Sequence, residues 1–163
     1  MAFLEKTVHL LNRYLSWIAG IFLVAMMLLT CSNIFLRIIW LPVKGTFELM
    51  GFFGAIATAF ALGYTQIHRG HVAVDILFSA YSRRARKFLN VLNSAICMVF
   101  FSFVAWQIAK WSTILKNTGE LTETLRISYY PFTYGVALGF AILSFVFLSD
   151  LLRYLLPEKE DKK

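Results

Sequence analysis

Four stretches of the chain contain no charged residue: 14–36, 49–67, 88–109 and 127–149, with lengths of 23, 19, 22 and 23 residues. A helix rises about 1.5 Å per residue, so roughly 20 apolar residues cross a hydrocarbon core of about 30 Å. Each stretch is long enough to span a membrane, and together they exclude a soluble fold for the bulk of the chain. Four spans leave about 20 residues for any link and 14 for the tail from Asp150, too few for a folded domain outside the bilayer. Composition agrees, since 59% of the residues are apolar and only 15% are charged. The expected architecture is an all-α integral membrane protein, a single membrane domain over 1–163 with spans at about 14–36, 46–67, 88–109 and 127–149.

The formal net charge is +7. The basic residues cluster beside the spans rather than along one soluble face, which points to lipid headgroups and not to nucleic acid. With the N-terminus placed in the cytoplasm, the inner segments hold eleven cations: Lys6, Arg13, Arg69, Arg83, Arg84, Arg86, Lys87, Arg153, Lys159, Lys162 and Lys163. The outer segments hold five: Arg37, Lys44, Lys110, Lys116 and Arg126. Positively charged short loops resist translocation, so both termini are expected to be cytoplasmic.

The first span reads as retained. Its apolar run exceeds that of a signal peptide, and Leu28-Leu29-Thr30 before Cys31 lacks the small residue of a lipoprotein cleavage site. Cys31 and Cys97 both fall inside spans and read as packing residues.

Outside the spans the pattern is helical in two places. Leu4, Val8, Leu11 and Leu15 make one apolar face of an amphipathic lead-in that bends or runs directly into span one. Val74, Leu77, Phe78, Tyr81, Ala85 and Phe88 recur at helical spacing, with Asp75, Ser79, Ser82, Arg83 and Arg86 on the other face. This predicts a surface helix over about 72–87, its basic end of Arg83, Arg84, Arg86 and Lys87 set against anionic lipid. The outward links, 37–47 and 110–126, contain Trp40, Pro42 and Gly45, and Gly119, Glu120 and Glu123.

Small residues mark two spans. Gly51, Ala55, Ala59 and Gly63 fall four apart on span two, and Gly135 and Gly139 form a G-x-x-x-G on span four. Such spacing lets helix backbones approach closely where lipid supplies no hydrophobic drive to associate. The contacts so made lie within the four-helix unit or with another subunit. The number of small residues facing outward favours a splayed layer over a closed bundle.

Chemistry-bearing residues are few. Glu48, at the outer start of span two, is the only acid close to a span interior, and it is expected to pair with Arg37, with Lys44 or with a cation on a partner. His68, His71 and Asp75 share one possible helix face, but three borderline ligands without a cysteine fit a wet interfacial segment better than a metal site. His9, His68 and His71 all lie at span ends, which counts against a haem held within the bundle. No catalytic triad, phosphate-binding glycine loop or thiolate motif is present, and no pair of broken spans marks a substrate site. The chain reads as a helper, not an enzyme, and no cofactor is expected on it. A runner-up reading is a self-sufficient small homodimeric transporter or channel working around Glu48. A third is a haem- or quinone-linked anchor subunit.

Several short motifs occur in a fixed order: Asn33-x3-Arg37; Pro42-x2-Gly45-Thr46-x-Glu48-Leu49; Ala61-Leu62-Gly63-Tyr64; Gly70-His71-Val72-x-Val74-Asp75; and Gly119-Glu120-x-Thr122-x-Thr124-Leu125, followed by Pro131. In this combination, over about residues 10–155, the chain resembles the DctQ-like small membrane subunit of tripartite ATP-independent periplasmic (TRAP) transporters. It departs from the family in setting Ile127-Ser128-Tyr129-Tyr130 ahead of Pro131.

The resemblance implies a bacterial inner-membrane subunit bound to a much larger multi-span subunit that carries substrate and sodium. A soluble periplasmic binding protein would deliver the substrate, an organic acid such as a dicarboxylate or a sialic acid. The small subunit would brace the stationary scaffold and extend the surface on which the binding protein docks. By matching motif, Arg37, Glu48 and Asp75 are assigned to structural or assembly contacts. Trp40, Lys44, Lys116 and Glu120 are expected to border the docking surface.

Overall fold

Apolar runs this long leave their backbone polar groups no water to bond, so in a membrane they must close every hydrogen bond internally as helices. The computed structural model describes residues 2–39, 41, 43–68 and 83–155. The described residues form four helices: α1 (Ala2–Ile39), α2 (Thr46–Ile67), α3 (Arg83–Thr118) and α4 (Tyr130–Leu155). All four are long and apolar enough to cross a membrane, over Thr7–Ile39, Thr46–Ile67, Phe88–Thr118 and Tyr130–Tyr154.

The lead-in runs into span one as one continuous helix of 38 residues, about 57 Å at helical rise. Its inward face differs from the expected one. Asn12 is almost fully buried beside Leu15 and Ala19, whereas Leu11 is exposed. The reason lies on α2: Gly63 leaves a gap that the Asn12 side chain fills, and a Cβ added at Gly63 would overlap Asn12 Oδ1.

Span three continues past Ala109, where the uncharged run ends, to Thr118. Lys110 and Lys116 end the apolar stretch without ending the helix, because lysine is a good helix former. Gly119 ends it, in a left-handed conformation (φ 65°) that glycine adopts without steric penalty, with its N–H donating to the Leu115 carbonyl at 3.1 Å. Span four begins at Tyr130, with Pro131 in its first turn, where a missing N–H does no harm. The segment 69–82, which holds most of the expected surface helix together with His71 and Asp75, lies outside the described residues. Arg83 to Lys87 form the first turns of α3.

The helices form an open layer. α3 packs along α4, α4 along α2, and α2 along α1, with a lighter contact between α1 and α4. Aromatic contacts join successive members: Phe22 with Phe53 at 5.3 Å in a tilted pair, and the stacked pairs Phe52 with Phe132 at 4.2 Å and Phe101 with Phe147 at 5.6 Å. Between α3 and α4, Ser102 and Ser144 share a hydrogen bond of 2.6 Å. The core follows α4 through Ile142, Leu143, Val146 and Phe147, and 39% of its most apolar window is inside the chain, against 6% for α1. α1 therefore has many large apolar side chains, including Trp17, Ile21 and Val24, left exposed by this chain.

The small-residue stripe of α2 divides between inside and outside. Ala59 and Gly63 are buried, whereas Gly51 and Ala55 are exposed. Four residues turn a helix by about 400°, so each step of four drifts about 40° and a run of twelve residues winds a third of the way around. On α4, Gly135 lies against Ile56 and Gly139 against Ala59, where a Cβ on Gly139 would stand 2.8 Å from the Ala59 Cβ.

Candidate functional site

The α1–α2 and α3–α4 links meet at one end of the layer, built around the first turn of α2. Gly45 precedes that helix with φ 75°, a conformation open to glycine. Its N-cap makes no side-chain hydrogen bond to the helix, although the Thr46 hydroxyl donates to the Val43 carbonyl at 2.8 Å and pins the turn. Val43 N–H in turn donates to Asn33 Oδ1 at 2.9 Å, which ties the link back to α1.

Glu48 joins this link to the other one. Its Oε1 accepts the Thr124 N–H at 2.7 Å and its Oε2 the Leu125 N–H at 3.1 Å. Hydrogen bonds to an ionised acceptor are about twice as strong as neutral ones, and here both oxygens are used on consecutive amides. The receiving loop is rigid on its own account. Thr122 is buried, its N–H donates to the Ile127 carbonyl at 2.9 Å, and the Ile127 N–H returns to Thr122 Oγ1 at 3.1 Å. Arg126 turns the loop in a left-handed conformation, and a single bridge pairs Leu121 with Ser128. The Leu125 side chain then packs onto Gly45, where any Cβ would overlap it. From the far side, the Ser112 hydroxyl of α3 donates to the Tyr130 carbonyl at 2.8 Å.

Two of the expected partners of Glu48, Arg37 and Lys44, are not the ones it meets in the chain. Among the described residues it makes no ion pair with Arg37 or Lys44; its partners are two backbone amides of the α3–α4 link. Arg37, Lys44, Lys116 and Glu120 are exposed. Lys44 adjoins Gly45 in the first link, and Glu120 adjoins Leu121 in the second. Trp40 lies outside the described residues, as does Asp75. At the opposite end of the layer, Gln66 Nε2 donates to Asp150 Oδ2 at 3.1 Å and fastens α2 to α4.

Three of the motifs quoted from the sequence thus converge in space: Asn33, Gly45-Thr46-x-Glu48 and Thr122-x-Thr124-Leu125. Residues 26–156 match the family described as tripartite ATP-independent periplasmic transporters, DctQ component. The chain belongs to this family. It is a multi-pass membrane protein and the small (Q) subunit of a TRAP transporter. No curated protein and no solved structure matches it.

The matched region of this DctQ component contains the whole clasp around Glu48. Asn12 and the first turns of α1 lie before it. Among the described residues no three His, Cys, Asp or Glu side chains are grouped to hold a metal ion. Sequence reasoning missed the amides of Thr124 and Leu125 as the partners of Glu48, and Asn33 as an anchor for the first link. A glutamate in the first turn of a helix does signal an interest in N–H donors. Which distant loop brings them is a property of the packing.

Proposed function

We propose that this chain is a non-catalytic subunit of a sodium-driven TRAP transporter for organic acids in the bacterial inner membrane, with both termini cytoplasmic. Substrate and sodium are carried by the large multi-span subunit, and a periplasmic binding protein delivers the substrate. The small subunit braces the large one and supplies part of the surface on which the binding protein docks.

The observation that carries this reading is the Glu48 clasp. Glu48, in the first turn of a span, accepts two amides 76 and 77 residues away, making two links into one firm platform. A platform suits docking, since a surface already ordered loses little conformational freedom on binding. The bracing role is supported by α1, whose apolar surface is left for a neighbour or lipid. The reading of Glu48 as the centre of a self-sufficient transporter finds no support, because both carboxylate oxygens are engaged in structure.

Lys44, Lys116, Glu120 and Trp40 are the residues we assign to the rim of the docking surface. The test is binding of the cognate binding protein to the assembled transporter after charge reversal at Lys44 and Glu120. Weaker docking, with assembly unchanged, supports the assignment. Docking and uptake both equal to wild type would remove these residues from the surface.

A further inference from the structure

Between α1 and α2, towards the end where α1 begins, lies a cleft of about 990 Å³. Its walls are apolar along Trp17 and Val24, and Gly20 opens them further: a Cβ built there meets nothing within 4 Å. Its charged and imidazole side chains gather towards one end, with His9 and Arg13 on the early turns of α1 and His68 at the C-cap of α2, while Asn12, Ser16 and Tyr64 add uncharged polar groups to the lining. His68 is fixed in place, its ring 4.1 Å from that of Tyr64 and its Nδ1 3.0 Å from the Tyr64 carbonyl. Among the described residues no carboxylate lines the cleft.

Its length is informative. His9 and Val24 stand on one continuous helix, so the cleft follows α1 for about 22 Å. One leaflet has about 15 Å of hydrocarbon with a headgroup layer of several ångströms above it, which matches. Within a membrane every apolar cleft is covered by lipid or by protein. A cleft one leaflet long, apolar along its length and basic at one end, has the polarity pattern of a single phospholipid, whereas a membrane-spanning helix of another subunit is apolar throughout its span. The charge favours an anionic headgroup, because the Arg13 guanidinium stands at the early end of α1 in the cleft and, among the described residues, no carboxylate faces it.

We infer that this cleft holds one anionic phospholipid, its phosphate at Arg13 and one acyl chain running past Gly20 to Val24. The inference stands on the membrane reading alone and is independent of docking.

The experiment is native mass spectrometry of the full chain assembled with its large subunit, delipidated and then titrated with palmitoyl-oleoyl phosphatidylglycerol or the matching phosphatidylcholine. Wild type is expected to prefer phosphatidylglycerol at this site by about fivefold, the effect of one cation near anionic lipid. Arg13→Gln is expected to erase the preference while keeping the lipid. Gly20→Phe places a ring in the cleft from a position where an added Cβ meets nothing within 4 Å, and it is expected to lose one lipid equivalent with assembly intact. Equal binding of the two lipids by wild type, or an undiminished lipid count in Gly20→Phe, would overturn the inference. Lipid held by the isolated chain but expelled on assembly would also overturn it, assigning the cleft to a protein partner.

Discussion

Glu48 in the first turn of α2 accepts the backbone N–H of Thr124 at 2.7 Å across 76 residues of chain. The next amide, from Leu125, falls on its other oxygen. The pair of bonds fixes the α3–α4 link against the start of α2 and thereby sets the shape of this end of the molecule.

Truncating that side chain leaves two amides without their acceptor. Glu48→Ala is expected to destabilise the chain by about 1–3 kcal/mol, the range for hydrogen bonds to a charged group. Glu48→Gln retains one acceptor oxygen but turns an NH₂ towards a donor, so it should fall between Ala and wild type. Thermal unfolding of the purified chain in detergent orders the three.

Gly45 and Gly119 share a left-handed backbone but differ in what surrounds them. A Cβ at Gly45 meets the Leu125 side chain, whereas at Gly119 it meets nothing within 4 Å. Gly119→Ala should therefore cost only the conformational term, about 1–2 kcal/mol. Gly45→Ala should cost more, and Leu125→Ala in the same chain should recover part of the difference. Melting temperatures of the two single variants and the double variant read this out.

Where α4 crosses α2, a Cβ on Gly139 would stand 3.0 Å from the backbone carbonyl of Ala59, which cannot swing aside. Gly139→Ala is expected to push the helices apart and to destabilise by about 1–3 kcal/mol. Gly51→Ala, in open space on the same helix pair, is expected to change stability by no more than about 0.5 kcal/mol. Denaturation of both variants in the same detergent makes the comparison.

At the other end of the layer, Asn12 Nδ2 donates to the Val8 carbonyl at 2.9 Å, while its buried Oδ1 has no hydrogen-bond partner among the described residues. That oxygen presses on Gly63. Gly63→Ala should be strongly destabilising, Asn12→Ala much less so, and the double variant less damaged than the sum of the two. A double-mutant cycle measures the coupling, expected at about 0.5–3 kcal/mol for residues in contact.

The four spans were legible because uncharged runs of 19 to 23 residues have few physical interpretations. Helix ends were less so: α3 outlasts its apolar run because a lysine ends hydropathy without ending a helix, and Gly119 carries the stop. The four-residue spacing of Gly51, Ala55, Ala59 and Gly63 suggested one face, but the drift of the helix carries its two ends to different environments. Glu48 stood out as the one acid at a span start, yet its partners are backbone amides. Every residue but proline has one, so side-chain identity could not single these two out, although the Thr122 and Thr124 hydroxyls also bond to Glu48. The same holds for Asn12, which reads as a polar residue on a wet face until Gly63 is placed opposite it.

The most direct test of the account is sodium-driven uptake of an organic acid into proteoliposomes. Vesicles would contain this chain alone, its large partner alone, or both subunits together with the cognate binding protein. Uptake is expected only with the full set. Uptake by this chain alone would contradict it and would return Glu48 to the transport path.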